Sequence, residues 1–207
     1  GDQRDQQVGK GVIGHWVPER SYMQREEPLL FRVQHCSTRR AITLDIVRKM
    51  LTTEQRTAKI AQLAAFPPVL RSAVDGLTDQ QLDTPYRDGG WTPRQVVHHL
   101  VDSHANAYLR FKWVVSEDNP TIKTYDQDAW AKLPDMALPL DCSLATLDGL
   151  HQRWSSFLSM LPEEAWRRTG EHPENGRLTL DDFLDIYSAH GANHAKQITD
   201  LRDRKGW

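Results

Sequence analysis

An all-α fold, most simply a four-helix bundle carrying an N-terminal extension, is what this sequence predicts. Three observations carry that prediction. Four long stretches repeat apolar residues at steps of three and four. Each of them opens at a good capping residue, and no convincing stretch alternates in the manner of a strand.

The first fifty residues stand apart. "GDQRDQQVGKG" is polar and glycine-containing, as a disordered segment or arm would be. "EEPLLFRVQHCSTRRAITLDIVRKM" has only a weak period, with a short helix expected from Thr43 to Met50. The chain therefore divides into an arm or extension over 1–50, of no assignable role, and a bundle domain over 51–207. The first bundle helix is "TTEQRTAKIAQLAAF", with Thr53 as N-cap and Ile60, Leu63 and Phe66 on one face. Pro67 and Pro68 are expected to kink or interrupt it, since proline removes a backbone donor and clashes with the preceding turn. "DTPYRDGGW" is a loop by composition. The next helix has the clearest start: Thr92 caps, Pro93 takes the first helical position and Gln95 completes a capping box. After a short helix in "YDQDAWAKL", Ser143 is expected to cap a third long helix faced by Leu147, Leu150, Trp154, Phe157 and Leu161 and ended by Pro162. The last helix starts at Thr179, with Asp182 at the box position and Gly206 at its far end. Connections of such different length suggest that one of them crosses over.

Composition narrows the function. The formal net charge is −2 and the pI about 6.5, which leaves no basic excess for nucleic acid. Mean hydropathy is −0.63 and no apolar run approaches a membrane span. Cys36 and Cys142 form no CxxC, so neither a disulfide framework nor a thiolate zinc site is expected. The N-terminus lacks the layout of a secretory signal, and a soluble cytoplasmic protein is the expectation.

Nine histidines then have to be sorted by position. On the last helix Phe183, Ile186, Tyr187, His190, His194, Ile198 and Leu201 form the core-facing stripe. His190 and His194 stand where leucines would normally pack. Residues i and i+4 lie about 40° apart around a helix and one turn along it, so both rings can reach one ion. HExxH helices hold zinc by the same geometry. Two readings fit this spacing: a metal pair, or two ordinary buried histidines bonded to a neighbouring helix. A third ligand is best sought at His99, in line with Val96 and Ser103; His98 points further towards Gln95 and Asp102, about 100° away. His104 is a weaker contender, about 140° around the wheel from His99. His151 neighbours Trp154 and reads as core lining. His15, His35 and His172 lie in loop-like sequence and carry no assignment.

"LDTPYRDGGWTPRQVVHHLVDSHANAYLRFK", "LHQRW" and the HxxxH of "HGANH" followed by "ITDL" resemble the DinB superfamily, and within it the YfiT-like proteins, from about Leu51 to the C-terminus. "IGHWVP" at residues 13 to 18 is similar to the family's N-terminal lead-in, which would leave residues 19 to 50 as an addition to the family pattern. The resemblance implies a four-helix bundle with one divalent ion held by three histidines at one end. Residue by residue, the ligands fall on His99, His190 and His194, while Asn193 and Gln197 stand where the family often carries further histidines. It also implies a metal-dependent hydrolase, or an S-transferase using a low-molecular-weight thiol such as bacillithiol, and a homodimer.

Three neutral imidazoles leave coordination positions open, as a catalytic site does and a four-ligand structural zinc does not. An ion there can lower the pKa of water or take a thiol as thiolate. Zinc suits three imidazoles best, and nickel also suits nitrogen. Asp102 and Asp185 are candidates to orient the rings, with Asp182 a further one; Asp181 and Asp182 read more naturally as exposed helix carboxylates. Tyr86, Arg87 and Asp88 are candidates to reach over the site and orient a small-molecule substrate. The rival reading is a non-catalytic, metal-stabilised bundle acting in dimerisation or partner binding.

Overall fold

The computed structural model describes residues 50–207. The expectations for the arm and for the helix ahead of Met50 lie outside the described residues. Four long helices dominate: α1 (Thr53–Val74), α3 (Pro93–Ser116), α5 (Asp141–Ser159) and α6 (Leu180–Lys205). Between them lie the short helices α2 (Asp79–Leu82) and α4 (Gln127–Trp130), with 3-10 turns at Pro134–Ala137 and Glu163–Arg167. A hairpin of β1 (Thr169–His172) and β2 (Gly176–Thr179) leads into α6. The sequence pattern missed this hairpin, because four-residue strands are too short to display an alternation.

The caps explain the starts. Thr92 with Gln95 and Thr179 with Asp182 form the expected capping boxes, and Gly206 closes α6 in the left-handed conformation. The first cap moves by one residue, to Thr52, because its hydroxyl meets the Gln55 backbone N–H while Gln55 bonds back to Thr52. Ser143 does not cap α5. The helix starts two residues earlier, and the Ser143 hydroxyl is committed to His98 Nδ1 at 2.7 Å. Pro67 and Pro68 do not interrupt α1, which runs through both. Each proline leaves a carbonyl four residues earlier without its helical donor. For Pro67 that carbonyl is Leu63 O, and it accepts from the His151 ring instead, at 2.6 Å.

Side-chain pairs give the course of the chain. Arg56 meets Asp181 near the starts of α1 and α6, and Arg202 meets Ala73 O near their ends, so these helices are parallel. His98–Ser143 and Phe111–Trp154 show that α3 and α5 are parallel as well. His99–His194 and Phe111–Phe183 set α3 antiparallel to α6. Around the bundle the order is α1, α5, α3, α6, with successive long helices α1 and α3, and α5 and α6, on the diagonals. Because α3 and α5 run the same way, residues 117–140 must travel back along the bundle, which is the crossover the uneven connections suggested.

The interior is apolar in two pieces. One cluster contains Ile60, Leu63, Phe111, Trp154, Phe183 and Tyr187; the other contains Phe66, Leu70, Val96, Leu100, Leu147 and Ile198. On every long helix the change from one cluster to the other falls at mid-length. The buried face of α5 is Leu144, Leu147, His151, Trp154 and Leu158, so Leu150 and Phe157 sit at its edges. No described helix is long and apolar enough to cross a membrane.

Candidate metal centre

Histidines fill the gap between the two apolar clusters. His99 and His104 come from α3, His151 from α5, and His190 and His194 from α6. Along the helices His104, His151, His190 and His194 fall between residues of the two clusters, while His99 is flanked by Val97 and Leu100 of the second. Within it one ring nitrogen from each of His99, His190 and His194 lies within 4.8 Å of the other two. Ring centroids are 4.6 Å apart for His190–His194, 5.0 Å for His99–His194 and 5.7 Å for His99–His190. Bonds from zinc to imidazole nitrogen run about 2.0–2.1 Å, so two nitrogens on one ion stand at most about 4.2 Å apart, close to the 4.8 Å within which these three lie.

The fit of a cation is testable on the structure itself. His99 is buried, and its Nε2 has no hydrogen-bond partner. A buried imidazole nitrogen left without partner is costly, and a metal ion facing two further rings answers that need. Burial, and then the neighbouring His194, push the His99 ring down to a pKa of about 3. Burial first, and then the other rings, hold His190 well below the ordinary histidine range. Both rings are therefore neutral at pH 7, the state in which imidazole is a ligand.

Adjacent His98 has a different task. Its Nδ1 meets Ser143 and its Nε2 meets Leu138 O at 3.0 Å, which ties α3 to the crossover and to α5. The choice of His99 over His98 agrees with this geometry. His194 Nδ1 lies 3.0 Å from Gln197 Oε1, so Gln197 orients that ring. His104 and His151, weakly weighted in the sequence, are buried beside the cluster, with His104 Nε2 3.1 Å from His190 Nδ1. The separation of about 140° between His99 and His104 proves compatible with one layer, because α3 packs on α5 and on α6 at once.

The carboxylates fare less well. Asp185 is exposed and pairs with Lys59 at 2.6 Å, away from His190, which meets a neutral ring instead of an acid. Asp181, expected at the surface, is 4 % exposed and grips Arg56 at 2.7 Å. Asp182 is spent on the α6 cap. Asp102 is half-buried, makes no hydrogen bond to His99, and is pushed up to about 6 by burial and then by Asp135. In the loop before α3, Tyr86 is half-buried and held through its backbone by Trp91 and Arg204, while Arg87 and Asp88 are exposed. The residue of that loop that reaches the histidines is Trp91. Its ring lies 4.6 Å from His99 and stacks within 9° of His194 at 6.4 Å. Sequence reasoning passed over Trp91; its place directly ahead of the Thr92 cap was the available signal.

Fold and site together define the class: an all-α bundle with a three-imidazole centre suited to a divalent ion. The chain belongs to the DinB superfamily, whose family model matches residues 62–198. It is 47 % identical over 160 residues to a protein of Bacillus cereus (strain B4264) named "putative metal-dependent hydrolase", covering 77 % of this chain and 92 % of that one. It is also similar to YfiT from Bacillus subtilis, described as "a probable metal-dependent hydrolase with an unusual four-helix bundle topology". That match has a TM-score of 0.75 and 44 % identity, and covers 77 % of this chain and 93 % of YfiT. The four-helix bundle protein TT2238, at 20 % identity and a TM-score of 0.52 over 70 % of this chain and 98 % of its own, shares the fold.

Proposed function

We propose that this protein is a metal-dependent enzyme whose ion is held by His99, His190 and His194 and acts on water or on a low-molecular-weight thiol. The observation that carries the reading is that His99, whose buried Nε2 has no partner, offers a ring nitrogen within 4.8 Å of one from each of two half-buried imidazoles, with no fourth protein ligand in the described cluster. A structural zinc is normally closed by four protein ligands, which argues against the non-catalytic bundle. A divalent ion at such a centre supplies Lewis acidity, lowering the pKa of water or stripping a thiol of its proton. Zinc is the ion best matched to three imidazoles, and nickel the second.

The protein's own residues bind, orient and shield. His99 contributes the dry wall of the site, and His190 and His194 the side nearer solvent. Gln197 holds the His194 ring, and Trp91 covers His99 and His194 with an apolar face that excludes water. Hydrolysis is the reading supported by the names of the relatives, with transfer of a thiol to a small electrophile as the competing reaction of the same centre. The same proposal includes a homodimer in the cytoplasm; light scattering on the purified chain checks the dimer.

The test begins with metal analysis of the purified protein beside His194→Ala. One zinc or nickel per chain, lost in the variant, is expected; equal metal content in both overturns the ligand assignment. Turnover then separates the reactions. Consumption of monochlorobimane that needs added thiol supports transfer, and metal-dependent ester cleavage without thiol supports hydrolysis. A protein that melts lower after chelation yet turns over neither class overturns the enzyme.

A further inference from the structure

One line of hydrogen bonds passes through all four long helices and ends on the candidate centre. Leu63 O on α1 meets His151 Nδ1 on α5 at 2.6 Å. His151 Nε2 meets His104 Nδ1 on α3 at 2.8 Å. His104 Nε2 meets His190 Nδ1 on α6 at 3.1 Å.

The direction of every bond follows from its first member. A carbonyl only accepts, so His151 must carry its proton on Nδ1 and leave Nε2 bare. Bare Nε2 can only accept, so His104 carries its proton on Nδ1 and leaves its own Nε2 bare. His190 must in turn donate from Nδ1, which turns the lone pair of its Nε2 to the other side of the ring. The chain holds only if each ring is neutral. His104 and His151 are 0 % and 1 % exposed, and among the described residues no carboxylate is hydrogen-bonded to any of the three.

Two further features keep the line dry and directed. The Phe66 ring packs against His104 and His151 at 5.5 Å and 5.4 Å, and Trp154 packs on the same two rings at 5.8 Å and 5.7 Å. Gly191 makes room for Phe66, since a Cβ there would lie 2.7 Å from its ring. The origin of the line is a carbonyl released by Pro67, whose missing N–H would otherwise occupy it.

We infer that His151 and His104 are positioning residues: they carry the acceptor character of Leu63 O across the bundle and lock His190 as the Nδ1–H tautomer, with Nε2 presented to a divalent cation. Metal-bound histidines usually receive this support directly from a carboxylate or a carbonyl. Here two imidazoles are interposed, so the ligand's orientation depends on the packing of four helices together. The metal-affinity part of this inference rests on the proposed centre, whereas the tautomer stands without it.

The test therefore has two readouts, both on the full chain. Long-range proton–nitrogen correlation spectra of the metal-free protein should show His151, His104 and His190 each protonated on Nδ1 and bare on Nε2. A protonated Nε2 on His190 overturns the inference, whatever the protein binds. Titration with Zn2+ or Ni2+ alone should then show His151→Leu binding roughly 10- to 100-fold more weakly than wild type, as losses of such supporting partners do. His151→Gln should recover most of the affinity, because its amide can donate to Leu63 O and accept from His104. Circular dichroism guards against simple unfolding, and equal affinity of folded His151→Leu and wild type also overturns the inference. If wild type binds neither ion, the proposed centre fails and the spectra alone decide the tautomer relay.

Discussion

The apolar cluster around Trp154 and Phe183 and the histidine layer beside it solve burial in opposite ways. In the cluster, rings such as Phe111, Trp154 and Phe183 meet edge-on or tilted at centroid distances of 5.5–5.9 Å, and each contributes area removed from water. Stability there is spread over many weak contacts. In the layer, five imidazoles are carried where the two apolar cores meet, and each ring nitrogen needs a partner. His104 and His151 find theirs in the relay from Leu63 O; one nitrogen of His99 finds none in the described protein. The cluster thus tolerates change in proportion to volume, and the layer in proportion to lost partners. A bundle that interrupts its core with such a layer forgoes apolar packing at mid-length, a cost that a bound ion would offset by mass action.

The contrast is sharpest for large deletions. Phe183→Ala, at a side chain 1 % exposed, should destabilise by about 3–5 kcal/mol in denaturant unfolding while the folded variant keeps its metal stoichiometry. A loss of metal equal to that of His194→Ala would break the distinction between the two regions.

Acid should act on the layer and spare the cluster. His99 stays neutral in the folded metal-free protein down to about pH 3, whereas an unfolded histidine takes up a proton near pH 6.5. The stability that its neutral form carries is fully present above pH 6.5 and is lost as pH falls towards 3. By pH 5 this ring alone should remove about 2 kcal/mol, and His104 and His190, depressed in the same direction by burial, should add to it. Urea midpoints of the metal-free protein between pH 8 and pH 5 measure the effect, and a flat profile would contradict neutral burial of the layer.

Gly191→Ala probes the seam between the two regions, where the new Cβ meets the Phe66 ring at 2.7 Å. Overpacking of this kind costs about 1–3 kcal/mol. Because Phe66 covers His104 and His151, the variant should also weaken metal binding, whereas Gly149→Ala, with open space around the new carbon, should do neither.

The smallest effect belongs to Asp102, at the edge of the layer. Burial and then Asp135 raise its folded pKa from 3.8 to about 6, so its carboxylate disfavours folding once pH rises through 6. Full exclusion from water would make that worth about 3 kcal/mol, and its half-exposed position reduces it to about 1 kcal/mol. Asp102→Asn should therefore raise the melting temperature by about 2–4 °C at pH 8 and leave it unchanged at pH 4. No gain at pH 8 would show that the carboxylate has a favourable partner after all.

Local signals account for how much was legible. Thr92–Gln95 and Thr179–Asp182 read correctly because a capping box is contained within four residues. The nearness of His190 and His194 was legible because i, i+4 spacing on one apolar stripe is itself a geometric statement, and their ring centroids stand 4.6 Å apart. Ser143 misled because its hydroxyl serves His98, a partner forty-five positions away, in preference to its own helix. Asp181 and Asp185 were misjudged for the same reason, since nothing local tells which carboxylate will meet Arg56 and which Lys59.

By itself the chain determined its four helices, the capping boxes at Thr92 and Thr179 and the three imidazoles able to converge, all of which follow from signals contained within one or two turns. Only the tertiary structure decided the order of helices around the bundle, the place of the histidine layer between two cores, and the identity of His104 and His151 as partners to His190. Those outcomes rest on contacts between residues 47 to 88 positions apart, whose energies exist only once the helices have packed.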